Sequence, residues 1–383
     1  MKLLIQRLAL FAAMLMSVLS MSAAFEVNGL YYEPTSGKTV KLVQHPDGMN
    51  HYSGNIQIPD KVKCNDRYYI VDEIDDSAFS YCTALTSVSI PNSVTQIGSS
   101  AFSYCTALSS VSIPNSVTQI ESSTFYGCTA LSAISIPNSV TQIGSSAFQG
   151  CTALTSVSIP NSVTQIDWYA FCGCTSLTAI SIPNSVTQIG VDAFYSCTSL
   201  SAINVDSKNQ DYCSEDGILY NKAKTELVKY PEGKTVSSFT VPNTVTKLEL
   251  SNLPRLTTLN IPNSVTDLYL NNMPELNSLN IPNSVTDLDL YNLPGLTALN
   301  IPNSVTNLSL SDLPELAALN IPNSVTDLDL YNMPGLTSLN IPNSVTSPRL
   351  SNMPGLTALN IPNSVTELYL WNVNGITSLN VPN

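Results

Sequence analysis

Hydrophobic and polar positions alternate along this chain in a fixed repeat, and the hexapeptide Ile-Pro-Asn-Ser-Val-Thr marks each copy. Its proline recurs every 23 residues from Pro91 to Pro183 and every 20 residues from Pro242 to Pro382. Self-similarity at periods of this length predicts a solenoid, in which each repeat is one coil that buries its apolar face only against its neighbours. Solenoids present long repetitive surfaces, which suit binding better than catalysis.

In the 23-residue repeat, Val88 and Ile90 alternate with serine, which predicts a short strand. Pro91 ends this strand because proline has no N–H for the ladder. A second extended stretch follows, and we expect the segment from Gly98 to Cys105 to form a tight helical turn. One phenylalanine per coil is expected to join a buried stack. This phenylalanine stack consists of Phe79, Phe102, Phe125, Phe148, Phe171 and Phe194.

In the 20-residue repeat, two strands per coil are visible. Leu259 and Ile261 are expected to point inward on the first, and Leu268 and Leu270 on the second. The glycine-opened turn of the longer repeat is missing. One asparagine per coil shares a corner, where its amide would satisfy turn backbone groups and its neighbours in the column. This asparagine corner consists of Asn252, Asn272, Asn292, Asn332, Asn352 and Asn372, with Asp312 substituting once.

The non-repetitive parts lie at the start of the chain and between the two arrays. Residues 1–24 combine basic residues, an apolar stretch too short for a membrane span and a small-residue cleavage site, which predicts a cleaved signal peptide. Residues 25–76 are expected to form a small β cap over the first coil. The arrays are assigned to residues 77–203 and 236–383, and the insert at 204–235 predicts a β-hairpin.

The signal peptide predicts an extracellular or cell-surface location, and no later apolar run is long enough for a transmembrane helix. The net charge is −13, only 11% of residues are charged, and no lysine or arginine occurs between Arg67 and Lys208. Nucleic acid and anionic membranes are held by clustered basic residues, so neither is an expected partner.

Residues that could perform catalysis or bind metal are sparse. Histidine occurs only at His45 and His51, both in the cap, and no nucleophile-elbow or phosphate-loop motif is present. Cys172 and Cys174 have neither a paired motif nor a histidine near them in sequence, so a zinc site there is not expected. The sequence therefore predicts a protein that is not an enzyme, with no cofactor and no metal site.

One cysteine per coil occupies a corner of the first array. Neighbouring Cα atoms would lie about one strand spacing apart, ~4.8 Å, which is within disulfide range. In-register side chains point the same way, however, which opposes the disulfide dihedral, so free buried thiols are expected. The cysteine ladder consists of Cys82, Cys105, Cys128, Cys151, Cys174 and Cys197, while Cys64 and Cys213 lie outside it, either free or bridged.

The two strands of the 20-residue repeat differ in how much their outward residues vary. On the Leu259-type strand, one outward asparagine recurs unchanged from Asn260 to Asn380. On the Leu268-type strand, the outward residues change at every coil and include acids and aromatic residues, which are common interface anchors. Neutral drift is the alternative, but drift alone would loosen both strands. We call this outward set the variable face. Its candidate ligand-binding residues are Asp267, Tyr269, Asp287, Asp289, Tyr291, Asp327, Asp329, Tyr331, Arg349, Glu367, Tyr369 and Trp371.

Four positions near the end of the second array carry specific expectations. Tyr369 and Trp371 lie on one face, and Arg349 stands one coil earlier, close enough to stack on the tyrosine ring. This aromatic cluster is the expected anchor for the ligand; the alternative is that Trp371 covers the last coils. Pro348 replaces an inward leucine and removes a ladder donor, which predicts the weakest point of the array.

The aspartates of the variable face suggest two further possibilities. Carboxylates at positions 287 and 289, and again at 327 and 329, attract hard cations and indicate a weak calcium site, with Asn307 and Ser309 between them. A glycosidase-like activity that depends on Asp287 or Asp327 is the enzymatic alternative.

Five copies between Cys82 and Cys197 carry the pattern Leu-x-x-Ile/Val-x-Ile-Pro-x-Ser-Val-Thr-x-Ile-Gly-x-x-Ala-Phe-x-x-Cys. Together with the insert segments Asp216–Lys222 and Tyr230–Lys234, they resemble the leucine-rich repeats of bacterial surface protein A, the BspA-like family. The resemblance is specific from Ile58 to Lys234 and looser in the 20-residue array, which departs from the usual period.

The resemblance implies a mostly β solenoid: a right-handed leucine-rich-repeat superhelix of 23-residue and then 20-residue turns, with a small β cap. It also implies an exported, surface-associated binding protein of anaerobic Gram-negative bacteria, often an adhesin for host or bacterial proteins.

We therefore expect a protein that binds extracellular proteins or glycans. The main alternative is a structural protein with no specific ligand. The chain stops at Asn383 inside the hexapeptide without a polar cap, which would leave open strand edges for end-to-end self-association. Flat ladders of threonine, serine and asparagine also resemble ice-binding faces, which is a further alternative.

Overall fold

The computed structural model describes residues 23–381. The predicted signal peptide, residues 1–24, lies almost wholly outside the described residues. Between residues 23 and 381 all regular secondary structure is β-strand, and this part of the chain contains no helix that could cross a membrane. The chain divides into two compact units. The first contains the described residues up to Leu200 with Val205–Asp211, and the second contains Ser201–Asn204 and the described residues from Tyr212 onward.

The first unit contains the cap and the 23-residue coils. Its strands are β1 (Phe25–Val27), β2 (Leu30–Pro34), β3 (Thr39–Val43), β4 (Gly54–Gln57), β5 (Lys61–Cys64), β6 (Arg67–Ile74), β7 (Leu85–Ser89), β8 (Gln96–Ile97), β9 (Ser110–Ser112), β10 (Gln119–Ile120), β11 (Ala133–Ser135), β12 (Gln142–Ile143), β13 (Ser156–Ser158), β14 (Gln165–Ile166), β15 (Ala179–Ile182) and β16 (Gln188–Ile189).

The cap is a mixed sheet that continues into the first coils. Strands β1 and β2 form a hairpin at Asn28 and Gly29, whose φ values of 53° and 79° suit a two-residue turn. The sheet order is β1-β2-β3-β6-β5, and β6 also pairs in parallel with β8 of the first array. Tyr32 and Tyr69 are buried in this sheet. The β structure predicted for the cap is therefore present.

The coils of the first array stack in parallel with an offset of one repeat. Ile134 of β11 lies opposite Val157 of β13, and Ile143 of β12 lies opposite Ile166 of β14. Because equivalent residues superpose from coil to coil, every buried position becomes a buried column. The predicted alternation of inward aliphatic and outward polar residues is confirmed.

The segment predicted to be a helical turn is not helical. Between Gly98 and Cys105 the backbone forms consecutive turns, with φ of 57° at both Ser100 and Tyr104. Left-handed residues cannot continue a right-handed helix. Alternate N–H groups donate to the next coil, as Phe102 does to the carbonyl of Thr124 at 2.9 Å, while the others close local turns. The segment therefore adds a third column of hydrogen bonds between coils.

The phenylalanine stack and the cysteine ladder form the interior of this segment. Successive phenylalanine rings lie 5.1–5.8 Å apart, with planes tilted by 4–8°. All nine cysteines are free thiols, as predicted for the ladder. Each ladder thiol from Cys105 onward donates to a phenylalanine carbonyl, as Cys105 does to Phe79 at 3.0 Å. Burial raises the pKa of Cys105, Cys128, Cys151 and Cys174.

The repeated hexapeptide joins neighbouring coils. The hydroxyl of Ser162 donates to the carbonyl of Val140 in the preceding coil at 2.6 Å. Val163 is fully buried, and the N–H of Thr164 donates to the carbonyl of Thr141 at 2.8 Å. Most residues of the motif therefore contribute to stacking, which accounts for their recurrence at every coil.

The strands of the remaining chain are β17 (Ala202–Val205), β18 (Tyr212–Glu215), β19 (Ile218–Asn221), β20 (Leu227–Lys229), β21 (Ser238–Thr240), β22 (Lys247–Ser251), β23 (Thr258–Asn260), β24 (Asp267–Asn271), β25 (Asp287–Tyr291), β26 (Asn307–Ser311), β27 (Asp327–Tyr331), β28 (Ser338–Asn340), β29 (Arg349–Ser351), β30 (Ala358–Asn360), β31 (Tyr369–Trp371) and β32 (Ser378–Asn380).

The predicted hairpin of the insert is present as the antiparallel pair β19–β20, and the sequence analysis missed β18, which pairs antiparallel with β19. The side-chain oxygen of Asn221 accepts the N–H groups of Thr225 at 2.9 Å and Glu226 at 3.2 Å, which closes the loop. Tyr220 and Leu227 are buried in the core of the second unit.

Seven strands, β22, β24, β25, β26, β27, β29 and β31, form one parallel sheet in the second unit. Its inward residues are leucines in register, as shown by Leu268 opposite Leu288 and Leu270 opposite Leu290. All four are at most 2% exposed. The outward residues of this sheet are the variable face.

The asparagine corner follows each strand of this sheet. Every residue of the column has a positive φ, between 49° and 58°. Asparagine and aspartate enter this left-handed region more readily than other non-glycine residues. The amide of Asn272 donates to Asn252 at 2.7 Å and that of Asn292 to Asn272 at 3.1 Å, while Asp312 supplies the acceptor for Asn332. The predicted column of mutually bonded amides is confirmed.

The Leu259-type strand, expected in every coil, is interrupted. It is paired as β21–β23 and as β28–β30–β32, but the three coils between β23 and β28 form no strand there. Where pairing is present, a threonine supports it: the hydroxyl of Thr257 donates to the carbonyl of Ser237 at 3.1 Å. Asn277 and Ala317 replace this threonine inside the interruption.

The sheet is also narrowed at Pro348. Strand β27 has five residues, whereas β29 begins only after the proline and has three. In five other coils, the equivalents of Thr346 and Ser347 donate two N–H bonds of 2.8–3.3 Å to the preceding coil. In the described part of this coil, Thr346 and Ser347 make neither bond. This coil therefore lacks the hydrogen bonds of Thr346 and Ser347 to the preceding coil, as well as the one that Pro348 cannot donate.

Candidate binding surface

The seven-stranded sheet arranges the variable face in three columns that run across the coils. The first column contains Lys247, Asp267, Asp287, Asn307 and Asp327. The middle column contains Glu249, Tyr269, Asp289, Ser309, Asp329, Arg349 and Tyr369, and the third contains Ser251, Asn271, Tyr291, Ser311, Tyr331, Ser351 and Trp371. Eleven of the twelve candidate residues lie in these columns, and Glu367 lies just before β31.

A groove of about 330 Å³ runs along the first two columns. Its walls carry the carboxylates of Asp267, Asp287, Asp289, Asp327 and Asp329, with the cations of Lys247 and Arg349 among its lining. We call it the acidic groove. Tyr269 lines it, whereas the other aromatic candidates lie outside it. The structure thus separates the predicted site into an acidic part and an aromatic part.

The pKa of Asp289 is raised above that of a solvated aspartate. Burial raises its pKa, the negative charge of Asp329 in the next-but-one coil raises it further, and a hydrogen bond from Ser309 opposes both effects. In the first column, the amide of Asn307 donates to Asp287 at 2.5 Å. Two of the five carboxylates are therefore held in place by the neighbouring coil. Perturbed carboxyls in a groove are common at binding sites.

Arg349 does not stack on Tyr369, so that expectation is wrong. Its guanidinium lies 3.7 Å from Asp327 in an exposed ion pair, which contributes at most about 1 kcal/mol to stability. Tyr369 instead donates its hydroxyl to Glu367 at 2.9 Å. This hydrogen bond is the main reason that the pKa of Tyr369 is raised. Arg349 and Tyr369 are nevertheless direct neighbours across the sheet.

The aromatic part of the variable face is open to solvent. Trp371 is 77% exposed and Tyr369 54% exposed, and Tyr331 lies in the same column as Trp371. A tryptophan this exposed covers little of the coils beside it, which contradicts the capping role considered for Trp371. Exposed aromatic side chains close to charged ones are typical of interface anchors.

The recurring asparagines of the opposite strand have a structural role where that strand is paired. The amide of Asn360 donates to Asn340 at 2.5 Å, and that of Asn260 donates to Thr240 at 3.1 Å. A polar groove that includes Asn280 and Asn300 borders the interruption of this strand. Contacts between coils therefore account for the asparagines at positions 260, 340 and 360.

The four aspartates suggested for calcium do not come together as a set of ligands. Within residues 23–381, one group of three or more His, Cys, Asp or Glu has its ligand atoms within 4.8 Å of one another, and it consists of His45, Asp47 and His51 in the cap. The sequence analysis missed this group because it considered the two histidines only as catalytic partners for the arrays. Their separation by six residues, with Asp47 between them, was the available signal.

A column of exposed tyrosines on the first unit was also missed. The rings of Tyr81 and Tyr104 stack at 4.7 Å, and Tyr126 meets Tyr104 edge-on at 5.0 Å. Gly127 makes room for this contact, since its φ is +68° and a Cβ there would lie 2.9 Å from the Tyr104 ring. Trp168 of the same unit is 63% exposed. The recurrence of tyrosine two residues after Phe79 and Phe102 was the sequence signal.

Known proteins contain repeats similar to these. The family described as BspA type leucine rich repeat region matches residues 72–201, 152–269, 229–331 and 271–380. A leucine rich cell surface protein from Faecalibacterium prausnitzii is similar in structure, with 26% sequence identity and a TM-score of 0.66, over 90% of this chain and 94% of that one.

Two further solved structures share the fold at lower identity. The pneumococcal vaccine antigen PcpA has 20% identity and a TM-score of 0.52, over 94% of this chain and 87% of that one. A leucine-rich repeat protein from Bacteroides ovatus has 22% identity and a TM-score of 0.51, over 93% and 94%. No curated protein sequence matches the chain.

Proposed function

Since this chain belongs to the family of BspA-type leucine-rich repeat proteins, we propose that it is an exported, surface-associated adhesin. Its ligand lies on the variable face of the second unit. The similarity to a protein described as a cell surface protein of Faecalibacterium prausnitzii supports the location. The predicted signal peptide at residues 1–24 is consistent with export and remains a prediction.

The observation that carries the proposal is the contrast between the two outward strand faces. Where the Leu259-type strand is paired, its asparagines bond to residues one coil away, as Asn360 does to Asn340 and Asn260 to Thr240. The variable face belongs to a sheet of equally regular register, so its backbone requires no particular outward residue. Substitution at these positions therefore changes the chemistry of the surface and leaves the fold intact.

The acidic groove favours a cationic ligand. Five carboxylates line it against one lysine and one arginine. The desolvation that raises the pKa of Asp289 would be offset by a cation placed beside it. A lysine- or arginine-bearing segment of an extracellular protein supplies such a cation together with backbone groups for the polar walls. Charge complementarity of this kind speeds association and selects partners.

The aromatic cluster at Tyr369 and Trp371 provides the second contact region. Both side chains are more than half exposed, and large aromatic side chains contribute a disproportionate share of binding free energy at interfaces. A segment that lies in the acidic groove reaches this cluster through Arg349, which lines the groove and neighbours Tyr369. The two regions therefore fit one extended ligand.

The test compares the full chain with a variant on arrays of peptides and of glycans. We expect the chain to bind lysine- and arginine-rich peptides, with an affinity that falls as salt is added. Asp289→Asn combined with Asp329→Asn should weaken this binding by at least about tenfold, the effect of ~1.4 kcal/mol.

The matched control is Glu275→Gln combined with Glu315→Gln, which removes the same charge from exposed positions at another corner of the same unit. If both double variants bind equally well, the ligand does not lie in the acidic groove. Binding to glycans without binding to peptides would refute the proposed class of ligand.

A further inference from the structure

The two histidines of the chain meet in the cap. The rings of His45 and His51 stack with centroids 4.3 Å apart and planes 14° apart. Asp47 lies beside them, with its carboxylate 3.7 Å from Nδ1 of His45. One ligand atom from each of the three residues lies within 4.8 Å of the other two.

The backbone around these side chains is well anchored. A turn brings His45 and Asp47 together, with the N–H of Gly48 donating to the carbonyl of His45 at 2.9 Å. The residue after His51 is Tyr52, which is buried and donates its hydroxyl to the carbonyl of Val43 at 3.0 Å. The three ligands are therefore presented by segments whose positions depend on the cap core.

Packing also orients the first imidazole. The ring of Tyr31 meets His45 edge-on at 4.7 Å, and the side chain of His45 is only 20% exposed. The N–H of Asp47 donates to Nδ1 of His45 at 3.2 Å, which fixes the imidazole against the turn. His51 and Asp47 are exposed, which leaves an entry path from solvent.

We propose that His45, Asp47 and His51 form a binding site for a divalent transition metal of the zinc type. Two imidazoles and one carboxylate are ligands that zinc, cobalt, nickel and copper accept. Two ligands of a tetrahedral ion at 2.0–2.1 Å lie roughly 3.3 Å apart, so the three ligand atoms, which lie within 4.8 Å of one another, must move closer together when an ion binds. The three residues leave at least one coordination position for water or for a group of a bound partner.

The surrounding charges favour a cation at this place. The pKa of Tyr31 is raised by burial and by the negative charges of Glu26 and Asp47. A divalent ion would neutralise the negative charge of these two carboxylates. Because the two rings stack with nearly parallel planes, the exposed ring of His51 has to turn so that the in-plane lone pairs of both imidazoles meet one ion.

Equilibrium dialysis of Zn²⁺ against the full chain, prepared without a polyhistidine tag, tests the proposal. We expect one equivalent bound to the cap, and we expect His51→Ala and Asp47→Asn each to weaken binding by at least about tenfold. Both residues are exposed, so the variants should fold. Asp66→Asn, an exposed cap carboxylate outside the group, is the matched control and should bind like the parent chain.

Co²⁺ spectroscopy separates this site from the free thiols. The expected spectrum of the cobalt-loaded chain shows the d–d bands of a low-coordinate N/O site without sulfur-to-cobalt charge transfer, and Cys64→Ser leaves it unchanged. Thiolate charge transfer, an unchanged affinity in His51→Ala, or the absence of zinc binding by the parent chain would each overturn the proposal.

Discussion

Pro348→Leu should stabilise the second unit, because Pro348 interrupts a sheet that is otherwise regular. The proline occupies the slot of a buried leucine and shortens the strand from five residues to three. It has no N–H of its own, and the two N–H groups before it make no bond to the preceding coil in the described structure. The substitution therefore offers the sheet up to three additional hydrogen bonds.

The expected gain follows from three contributions. Each hydrogen bond contributes about 1 kcal/mol, so three contribute about 3 kcal/mol. Filling the leucine slot adds about 0.8 kcal/mol for one further buried methylene group. The greater freedom of the unfolded chain without proline costs about 1 kcal/mol. The free energy of unfolding should therefore rise by roughly 2–3 kcal/mol, and Tm by roughly 4–12 °C if the unit melts cooperatively.

The reciprocal change, Leu328→Pro, introduces the same defect one coil earlier. It should destabilise the unit by at least about 2–5 kcal/mol, because it removes a fully buried leucine as well as a ladder donor. Hydrogen exchange should show less protection at residues 346–350 than at 326–330 in the parent chain, and equal protection in Pro348→Leu. Uniform protection in the parent, or no stabilisation by Pro348→Leu, would refute the reasoning.

Three further predictions concern the surface, the interrupted strand and the thiols. Trp371→Ala should weaken ligand binding by about tenfold or more and leave Tm unchanged. Asn340→Ala on the paired strand should lower Tm and leave binding intact. If Trp371→Ala instead lowers Tm and leaves binding intact, Trp371 has a structural role. Asn277→Thr combined with Ala317→Thr should slow amide exchange across the interrupted coils, because each threonine can donate to the preceding coil as its equivalents do. In the native protein at pH 8, iodoacetamide should label Cys64 but not buried ladder thiols such as Cys128 and Cys151, whose pKa is raised by burial. Rapid labelling of the ladder would show that the coils open.

The repeated part of the fold could be predicted from sequence because a strict period determines the register. Once Leu268 is assigned inward, Leu288 must superpose on it one coil later, and the same holds for each phenylalanine of the stack. The helical turn was predicted wrongly because Gly98 and the small residues after it are equally compatible with a helix start. The positive φ angles at Ser100 and Tyr104 exclude a helix. They accompany hydrogen bonds from these residues to the next coil, which the sequence of a single repeat does not reveal.

The candidate sites were predicted less completely, because they depend on contacts that no period imposes. The sequence placed Arg349 beside Tyr369 correctly, but the orientation of its side chain toward Asp327 depends on charge around the groove. The meeting of His45 and His51 depends on the fold of the cap, which has no repeat to set its register.

The structure also accounts for the coexistence of an almost constant motif and a changing face. Neighbouring coils are held together by hydroxyl and backbone groups of the hexapeptide, such as Ser162 and Thr164, and by columns of buried leucine or phenylalanine. None of these contacts involves the outward residues of β24–β27. A change such as Tyr269 to aspartate at position 289 therefore leaves the stacking contacts intact, and the register places the new side chain at the same height on the groove wall. In such a scaffold, the residues that recur report on stability, and the residues that vary on one face report on recognition.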